Sequence, residues 1–344
     1  MSTTATSALV PEILNEYGAL TRAKLREYMP TCEPRRHLYD LVSDYPLRGG
    51  KMMRPSLCIA TARAFGASVD DALDTAAAIE LLHNALLIHD DIEDGSEQRR
   101  GRPTLHVEHG IPLALNAGDT LALVALRPLI VNRNRLGGEV AMKIMEESER
   151  MALASAEGQA LELGWRKDNV LDLDEADYLR MVLKKTCWLA TIFPLRAGAL
   201  IGTRGAADLD SFMRFGFFLG ATFQIQDDLL NLVADRKYGK ERDGDLWEGK
   251  RTLMLIRLFR ELPPADRDRM TTIMLANRTE RMAEDVAWIR AQMDRHGCID
   301  YARRHAHWLA GVALHEYSVA FSRLPDSRDK RFIEQMVTWV VERN

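Results

Sequence analysis

The sequence lacks the features that mark several large classes of protein. Its four cysteines are far apart and form no CxxC pair, so we expect reduced thiols in a cytoplasmic protein rather than a disulfide framework or a zinc site. The net charge of −4 argues against a nucleic-acid-binding protein, which is usually basic. The sequence also shows no nucleotide-binding glycine fingerprint and no internal repeat.

The sequence also gives little indication of a signal peptide or a membrane-spanning segment. The N-terminal stretch MSTTATSALVPEIL has neither a basic region nor a long apolar core, which predicts that it is not a signal peptide. The longest apolar stretch, 121–131, contains Arg127 and Pro128 and is too short to span a bilayer. We therefore expect no integral membrane segment.

Helical periodicity dominates what is present. Hydrophobic residues make up 47% of the chain and recur at three- and four-residue spacing, whereas alternating β-branched runs are rare. The glycine and proline clusters between helices do not resemble an interdomain linker. The sequence predicts an all-α fold, a single-domain helical bundle over residues 1–344, with residues 1–40 as an N-terminal helical extension.

Two acidic clusters follow strongly apolar segments. DDIED at 90–94 ends the apolar run 75–88, and DDLLN at 227–231 ends the run 211–225. Carboxylates at i, i+1 and i+4 share roughly one helical face, repel each other, and are disfavoured at a helix C-terminus. A single such cluster can be a solvated helix end. Two facing clusters would suit hard divalent cations, and Mg²⁺ typically shares carboxylates with substrate phosphates.

Basic residues accompany both clusters. GGKMMRP places Lys51 and Arg54 before a helix start, where an anion can bind, although an ordinary basic turn also fits. Arg99 and Arg100 can form phosphate forks or plain surface ion pairs. His83 lies on the helical face of the first cluster. It can donate a hydrogen bond to a phosphate, or it can be an ordinary core histidine.

The loop after the second cluster has the composition of a lid. YGKERDGDLWEGKRT, which contains Lys240 and Lys250, would place mobile lysines over an acidic, metal-binding face. A polar loop that has no role in catalysis can have the same composition.

These segments, in this order, resemble the trans-isoprenyl diphosphate synthases (polyprenyl synthetases), and most closely the geranylgeranyl diphosphate synthases. The resemblance runs from about residue 40 to the C-terminus and includes GGKMMRP, LIHDDIEDGSEQRRGRPTLH, GQALEL, LKKTCWL, FQIQDDLLN and YGKERDGDLWEGKRT. It implies an isoprenoid synthase fold around a central apolar cavity and a homodimer. It also implies Mg²⁺ as cofactor, with three ions per active site when substrate is bound.

The resemblance also implies roles for the matching positions. The metal ligands would be Asp90, Asp94 and Asp227, with Asp91 and Asp228 close by. The allylic diphosphate would be held by Arg99, Lys185, Lys240 and Lys250. Isopentenyl diphosphate would be held by Lys51, Arg54, His83 and Arg100. The reacting carbon would be flanked by Lys185, Thr186 and Gln224.

The chain departs from the family pattern at a few of these positions. Asn231 stands where many members have aspartate, and Glu162 stands in the GQ motif where aspartate is common. Met52 and Met53 replace the basic and apolar residues that often follow the lysine of GGK. We expect the metal site to survive with altered affinity, because Asp227 is present.

Product length should depend on the helix before Asp90. In farnesyl-producing members the residues four and five positions earlier tend to be aromatic, whereas this chain has Leu86 and Ala85, with Leu82 further along. We therefore expect a C20 product, with longer chains or a farnesyl product as alternatives. The segment 113–126 could instead close the tunnel.

Two other functions fit part of the pattern. A class I terpene cyclase also ionises a metal-bound diphosphate, but it has no need of the isopentenyl subsite that the resemblance implies. A non-catalytic synthase subunit should have lost one acidic cluster, and both clusters are present here.

Overall fold

The helical periodicity of the sequence is realised along almost the whole of the described chain, residues 6–233 and 243–343 of a computed structural model. The α-helices are α1 (Thr6–Tyr28), α2 (Asp40–Leu47), α3 (Met53–Ala64), α4 (Val69–Asp94), α5 (Leu105–His109), α6 (Ile111–Val124), α7 (Leu126–Leu136), α8 (Gly138–Lys167), α9 (Glu175–Val182), α10 (Phe193–Gly202), α11 (Ser211–Val233), α12 (Gly244–Glu248), α13 (Leu253–Glu261), α14 (Pro264–Leu275), α15 (Ala283–Arg295), α16 (Cys298–Ala320) and α17 (Arg328–Glu342). The predicted all-α class is confirmed.

Three short elements interrupt this pattern. The segments Arg35–Tyr39 and Leu183–Ile192 are π-helical, with a wider turn than an α-helix. The two-residue strands β1 (Gln98–Arg99) and β2 (Arg102–Pro103) form an antiparallel hairpin directly after α4. Each of these elements except Arg35–Tyr39 carries residues that face the central cavity or its rim.

Helix α4 is buried on most sides, as its apolar sequence predicts. It begins with a capping box, in which the Ser68 hydroxyl accepts from the Asp71 amide and the Asp71 carboxylate accepts from the Ser68 amide. It ends at Gly95, whose left-handed conformation (φ 63°) suits glycine. Its side chains contribute to two hydrophobic clusters, one of which lies against α6. The first acidic cluster therefore emerges at the end of a rigid central helix.

Helix α11, which ends in the second acidic cluster, is equally enclosed. It packs against the π-helical segment Leu183–Ile192 on one side and α16 on the other. Gly220 permits this approach, because a Cβ there would lie 2.8 Å from Cys187 Sγ and 2.9 Å from its Cα. Near the start of α11, Phe212 and Phe215 pack edge-on against Phe321 at the end of α16.

The C-terminal helix is tied to the opposite end of the chain. The Tyr17 hydroxyl of α1 donates to Asp329 in the first turn of α17, and Arg63 Nε lies 3.5 Å from the same carboxylate. Trp339 packs near Lys51, whose ammonium is 5.8 Å from the indole ring. Just past the last turn of α17, Arg343 reaches Asp227 of α11.

One stretch of the described residues, Ile111–Leu136, is long and apolar enough to cross a membrane by length and composition alone. It comprises α6 and α7 with Ala125 between them. Ala117 and Leu121 are completely buried in the cluster that α6 forms with α4. We interpret this stretch as two helices of the bundle with one face in the core, and their other face exposes Leu123 and Ile130.

Candidate active site

Both acidic clusters line one cavity of about 480 Å³ between α4, α8, α11 and the π-helical segment. Its polar end is formed by carboxylates, lysines and arginines. Its other walls are apolar, and their side chains come from Leu86, Leu163, Met181, Leu189 and Phe223. A smaller cavity of about 300 Å³ adjoins the polar end beneath α12 and is lined by Asp94, Asp245 and Lys250.

The first cluster does not present all its carboxylates to the cavity. Asp90 and Glu93 line it, whereas Asp91 is fully buried on another side of α4, because successive helical residues are about 100° apart. The Asp91 carboxylate accepts from Tyr45 Oη at 2.5 Å and from Arg99 Nε at 3.0 Å. The position of Asp91 therefore does not support the metal contact predicted for it.

Asp94 lies at the junction of the two cavities. Arg166 Nη1 is 2.5 Å from its Oδ1, and Lys250 Nζ is 2.8 Å from its Oδ2. Lys250 is also 2.9 Å from Glu248, so the lysine bridges the end of α4 and the end of α12. This arrangement holds α12 against the first acidic cluster.

The second cluster divides its two carboxylates between different partners. Asp227 lines the cavity and accepts from Arg343 Nη2 at 2.5 Å, just past the end of α17. Asp228 accepts from Tyr178 Oη at 2.8 Å and from Gln224 Nε2 at 2.7 Å. Burial raises the pKa of Asp228 to about 6.

Asn231, at the end of the second acidic cluster, has a structural partner. Its side-chain oxygen accepts from the Asp245 amide at 3.1 Å, and its main-chain carbonyl accepts from the Asp243 amide at 3.1 Å. An amide thus joins α11 to the start of α12 without adding a further negative charge.

The π-helical segment delivers Lys185 and Thr186 to the cavity wall. Lys185 Nζ lies 2.7 Å from Glu162 and 3.4 Å from Asp90, and Thr186 donates to Gln224 Oε1 at 2.7 Å. Although burial opposes it, the charges of Glu162 and Asp90 raise the pKa of Lys185, which keeps the ammonium charged. Glutamate in the GQ motif therefore fulfils the role of a carboxylate partner for this lysine.

The glycine of the GQ motif sets the distance between α8 and this segment. A Cβ on Gly158 would lie 2.1 Å from the Lys185 amide nitrogen and 2.6 Å from its Cα, so only glycine allows this contact. Helix α8 therefore packs directly against the backbone of Lys185.

The predicted anion-binding residues gather beside α4. Arg54 and His83 line the cavity, and burial together with the Arg54 charge lowers the pKa of His83 to about 4, which keeps the imidazole neutral. Arg54 Nε has no hydrogen-bond partner among the described residues. Arg100 donates to the Tyr45 carbonyl at 3.1 Å and packs against Gly50, whose Cβ would lie 3.0 Å from Arg100 Nη2. Lys51 is exposed and is not among the residues that line the cavity.

Two buried arginines fix the segment that carries Lys250. Arg281 donates to the carbonyls of Leu246 and Trp247, and Arg251 donates to the Val170 carbonyl at 3.0 Å. The predicted lid residue Lys240 lies outside the described residues.

The donor set at the polar end of the cavity fits a hard divalent cation such as Mg²⁺. Its ligands are carboxylate oxygens, which Mg²⁺ prefers, and cationic side chains now neutralise them. Within 6–233 and 243–343, no three Asp, Glu, His or Cys side chains lie close enough to enclose a metal by themselves. Mg²⁺ is usually held by one or two carboxylates and substrate phosphates, so this arrangement matches a site that substrate completes.

Comparison with known proteins identifies the family. The sequence profile of the polyprenyl synthetase family matches residues 35–293. The chain belongs to the polyprenyl synthetase family. It is 33% identical to the short chain isoprenyl diphosphate synthase of Methanothermobacter thermautotrophicus, covering 97% of this chain and 98% of that protein. It is 32% identical to the geranylfarnesyl diphosphate synthase of Aeropyrum pernix over 86% of this chain and 91% of that protein. The chain is thus a trans-prenyl diphosphate synthase.

Solved structures agree with this assignment. A geranylgeranyl pyrophosphate synthetase from Pyrococcus horikoshii is 30% identical, with a TM-score of 0.84, covering 97% of this chain and 99% of that one. A polyprenyl synthase from Caulobacter crescentus, complexed with calcium and isoprenyl diphosphate, is 27% identical with a TM-score of 0.85, covering 100% and 99%. The isoprenoid synthase fold predicted from the motifs is confirmed.

The residues predicted to set chain length occupy different positions in this synthase. Leu86 lines the cavity directly. Ala85 is buried in the cluster with Ala117 and Leu121 of α6, and Leu82 is partly buried between the two core clusters. Leu86 therefore contacts the space that a product chain would fill, and Ala85 stands behind that wall.

Four residues at the site were missed by the sequence analysis: Tyr45, Arg166, Tyr178 and Arg343. Arg166 follows Glu162 by four positions on α8, so helical periodicity alone would have placed it on the cavity face. The other three belong to helices that reach the site only through tertiary packing, and no local pattern marks them.

The close approach of α8 generates a test. Gly158→Ala should lower the free energy of unfolding by about 1–3 kcal/mol and reduce turnover, because the new methyl displaces Lys185. The matched control is Gly164→Ala in the same helix, where a Cβ meets nothing within 4 Å. That change should stabilise the protein by up to about 1 kcal/mol. Urea unfolding and turnover of both variants are the measurements, and equal behaviour would contradict the proposed contact.

Proposed function

We propose that this synthase condenses isopentenyl diphosphate with an allylic diphosphate in a Mg²⁺-dependent reaction and releases geranylgeranyl diphosphate (C20). The observation that carries the proposal is the single cavity with charged residues at one end and an apolar wall at the other. A diphosphate suits the first end and a growing prenyl chain suits the second.

The site residues take the following proposed roles. Asp90, Asp94 and Asp227 hold Mg²⁺, three ions when substrate is bound, and the cation's chemistry is to neutralise charge on the departing diphosphate. Lys185, Lys250 and Arg99 hold the allylic diphosphate. Isopentenyl diphosphate is held by Lys51, Arg54, His83 and Arg100. The diphosphate-bearing calcium complex of a related polyprenyl synthase supports this reading.

The chain's own residues account for the remaining demands of the reaction. Lys185 is charged and fixed by Glu162 and Gly158, so it can stabilise negative charge on the leaving group without reorganisation. The apolar wall keeps water from the allylic cation. The His83 ring is oriented by Glu80, whose Oε1 lies 3.4 Å from His83 Nδ1, and we assign proton removal to the departing diphosphate.

Product length follows from the shape of the apolar wall. On α4 that wall is formed by Leu86 and the neighbouring Leu87 rather than by an aromatic ring. A cavity not blocked at this depth accepts more than fifteen carbons. The curated relatives of this chain include synthases of C20 and C25 products by name, which supports C20 with a longer chain as the alternative.

We also propose a cytoplasmic homodimer built from one domain per chain. The described cysteines are all free, and three of them are buried. Helices α6, α7 and α8 expose a row of large apolar side chains, which a second copy would cover. Its members are Leu115, Leu123, Leu126, Ile130, Met142 and Leu153.

The first experiment is a product assay. Purified protein, Mg²⁺ and isopentenyl diphosphate are incubated with each allylic starter, and the dephosphorylated products are sized by mass spectrometry. We expect a C20 alcohol, and Asp90→Asn should reduce turnover by at least about a hundredfold, whereas Asp326→Asn, at an exposed turn, should not. A cyclic hydrocarbon formed without isopentenyl diphosphate would contradict the proposal.

The position of Leu86 generates a second prediction. Leu86→Phe should shorten the main product to C15, because the ring would occupy the cavity wall below Asp90. The expected selectivity change is about 1–3 kcal/mol, so mixed products are expected. Leu314→Phe, on α16 and remote from the cavity, is the control. An unchanged product distribution in Leu86→Phe would show that chain length is set elsewhere.

The exposed row on α6–α8 generates a third prediction. Leu123→Glu, at a side chain with 67% exposure, should convert a dimer to a monomer in light-scattering measurements, because a charge would be buried without a partner. Leu275→Glu, with 68% exposure on α14, should leave the dimer intact. A monomeric unmodified protein would contradict the proposal at once.

A further inference from the structure

The second acidic cluster contains two adjacent carboxylates with unlike surroundings. Asp227 faces the cavity and is paired with the cationic Arg343. The side chain of Asp228 is mostly buried, and each of its oxygens accepts a hydrogen bond from an uncharged group, Tyr178 on one side and Gln224 on the other. The two aspartates are therefore placed for different tasks.

The contacts of Asp228 fix which way the Gln224 amide points. A carboxylate only accepts hydrogen bonds, so the Gln224 NH₂ group must face Asp228 and its carbonyl oxygen must face the other way. There the oxygen is 2.7 Å from Thr186 Oγ1. A carbonyl only accepts, so Thr186 must be the donor in that contact. The direction of each hydrogen bond in the chain Tyr178–Asp228–Gln224–Thr186 is therefore determined.

This order has a consequence at the cavity wall. With its proton directed to Gln224, the Thr186 hydroxyl keeps its lone pairs for the other directions, and Thr186 lines the cavity beside Lys185. Oxygen lone pairs next to an electron-poor carbon stabilise positive charge. If the Gln224 amide were reversed, its NH₂ would face Thr186, and the hydroxyl would have to accept and turn its proton elsewhere.

We propose that Tyr178 and Asp228 are positioning residues that lock the Gln224 amide and the Thr186 hydroxyl in this polarity, and that Asp228 is not a metal ligand. The inference rests on the proposed function, because it assigns Thr186 to the wall at which the allylic cation forms. Tyr178 is suited to the task, since it is almost completely buried on α9, directly before the π-helical segment that carries Thr186.

The proposal is tested with Tyr178→Phe and a matched control. Removing the hydroxyl should lower kcat roughly tenfold, the effect of one hydrogen bond to a charged group, while KM for both diphosphates stays within about twofold. Tyr17→Phe is the control, because Tyr17 also donates to a buried aspartate, Asp329, but lies outside the cavity lining. Equal kcat losses in the two variants, or a rise in KM for Tyr178→Phe, would overturn the positioning role.

Substitution of the carboxylates separates positioning from metal binding without relying on turnover. Asp228→Asn keeps an oxygen for Gln224, and its NH₂ can donate to Tyr178 Oη, so the array should survive. Calorimetric titration of inorganic diphosphate with Mg²⁺ should give the same affinity as the unmodified protein within about twofold, whereas Asp227→Asn should weaken it at least tenfold. Asp228→Leu, which removes both acceptors, should lower kcat more than Asp228→Asn.

Two results would overturn the proposal. A loss of Mg²⁺-dependent diphosphate affinity in Asp228→Asn as large as that in Asp227→Asn would make Asp228 a metal ligand and overturn the proposal. If the unmodified protein bound no diphosphate in the presence of Mg²⁺ and formed no prenyl product, the proposed function would fail, and the inference with it.

Discussion

Mutual repulsion among carboxylates at the mouth of the cavity is the constraint on which the rest of this structure depends. Two like charges about 4 Å apart repel by roughly 4 kcal/mol at an effective dielectric constant of about 20. The fold offsets this by bringing a cation to each cavity-facing aspartate from a different part of the chain: Lys185 to Asp90, Lys250 and Arg166 to Asp94, and Arg343 to Asp227. The π-helical segment, α8, α12 and the end of α17 therefore all converge on one small region.

Delivering those cations requires backbones to approach more closely than side chains normally allow. Gly158 lets α8 touch the backbone of Lys185, and Gly220 lets α11 touch Cys187. The π-helical segment Leu183–Ile192, which contains both contacted residues, therefore lies between α8 and α11. A lysine on such a segment has little freedom to move away from Asp90 and Glu162, so its charge is already in place before a substrate arrives.

The sequence was sufficient to predict the helices but not which distant residues would contact them in the folded chain. Helical periodicity and the two acidic clusters were enough to predict central helices ending at a common site, because those signals are local. The sequence did not indicate that Tyr45 and Arg99 would enclose Asp91 on a side of α4 about 100° from Asp90, and its metal contact stays a prediction. Arg343 lies more than a hundred positions from Asp227, and the tertiary packing of α17 against α3, α16 and α11 itself brings them together.

Charge balance also constrains how ligands enter this site. A divalent cation that bound Asp227 without a substrate would compete with Arg343 for this carboxylate, and the buried guanidinium would lose a counter-charge. In the proposed function a diphosphate would supply that counter-charge, because its oxygens can accept from Lys185, Lys250 and Arg343. Metal and diphosphate would therefore each make the binding of the other more favourable, and this coupling between two ligands would arise from the ion pairs of the free protein. The cations at the polar end of the cavity pair with the chain's own carboxylates in this structure, and in the proposed function they would then pair with the phosphate oxygens of the substrate.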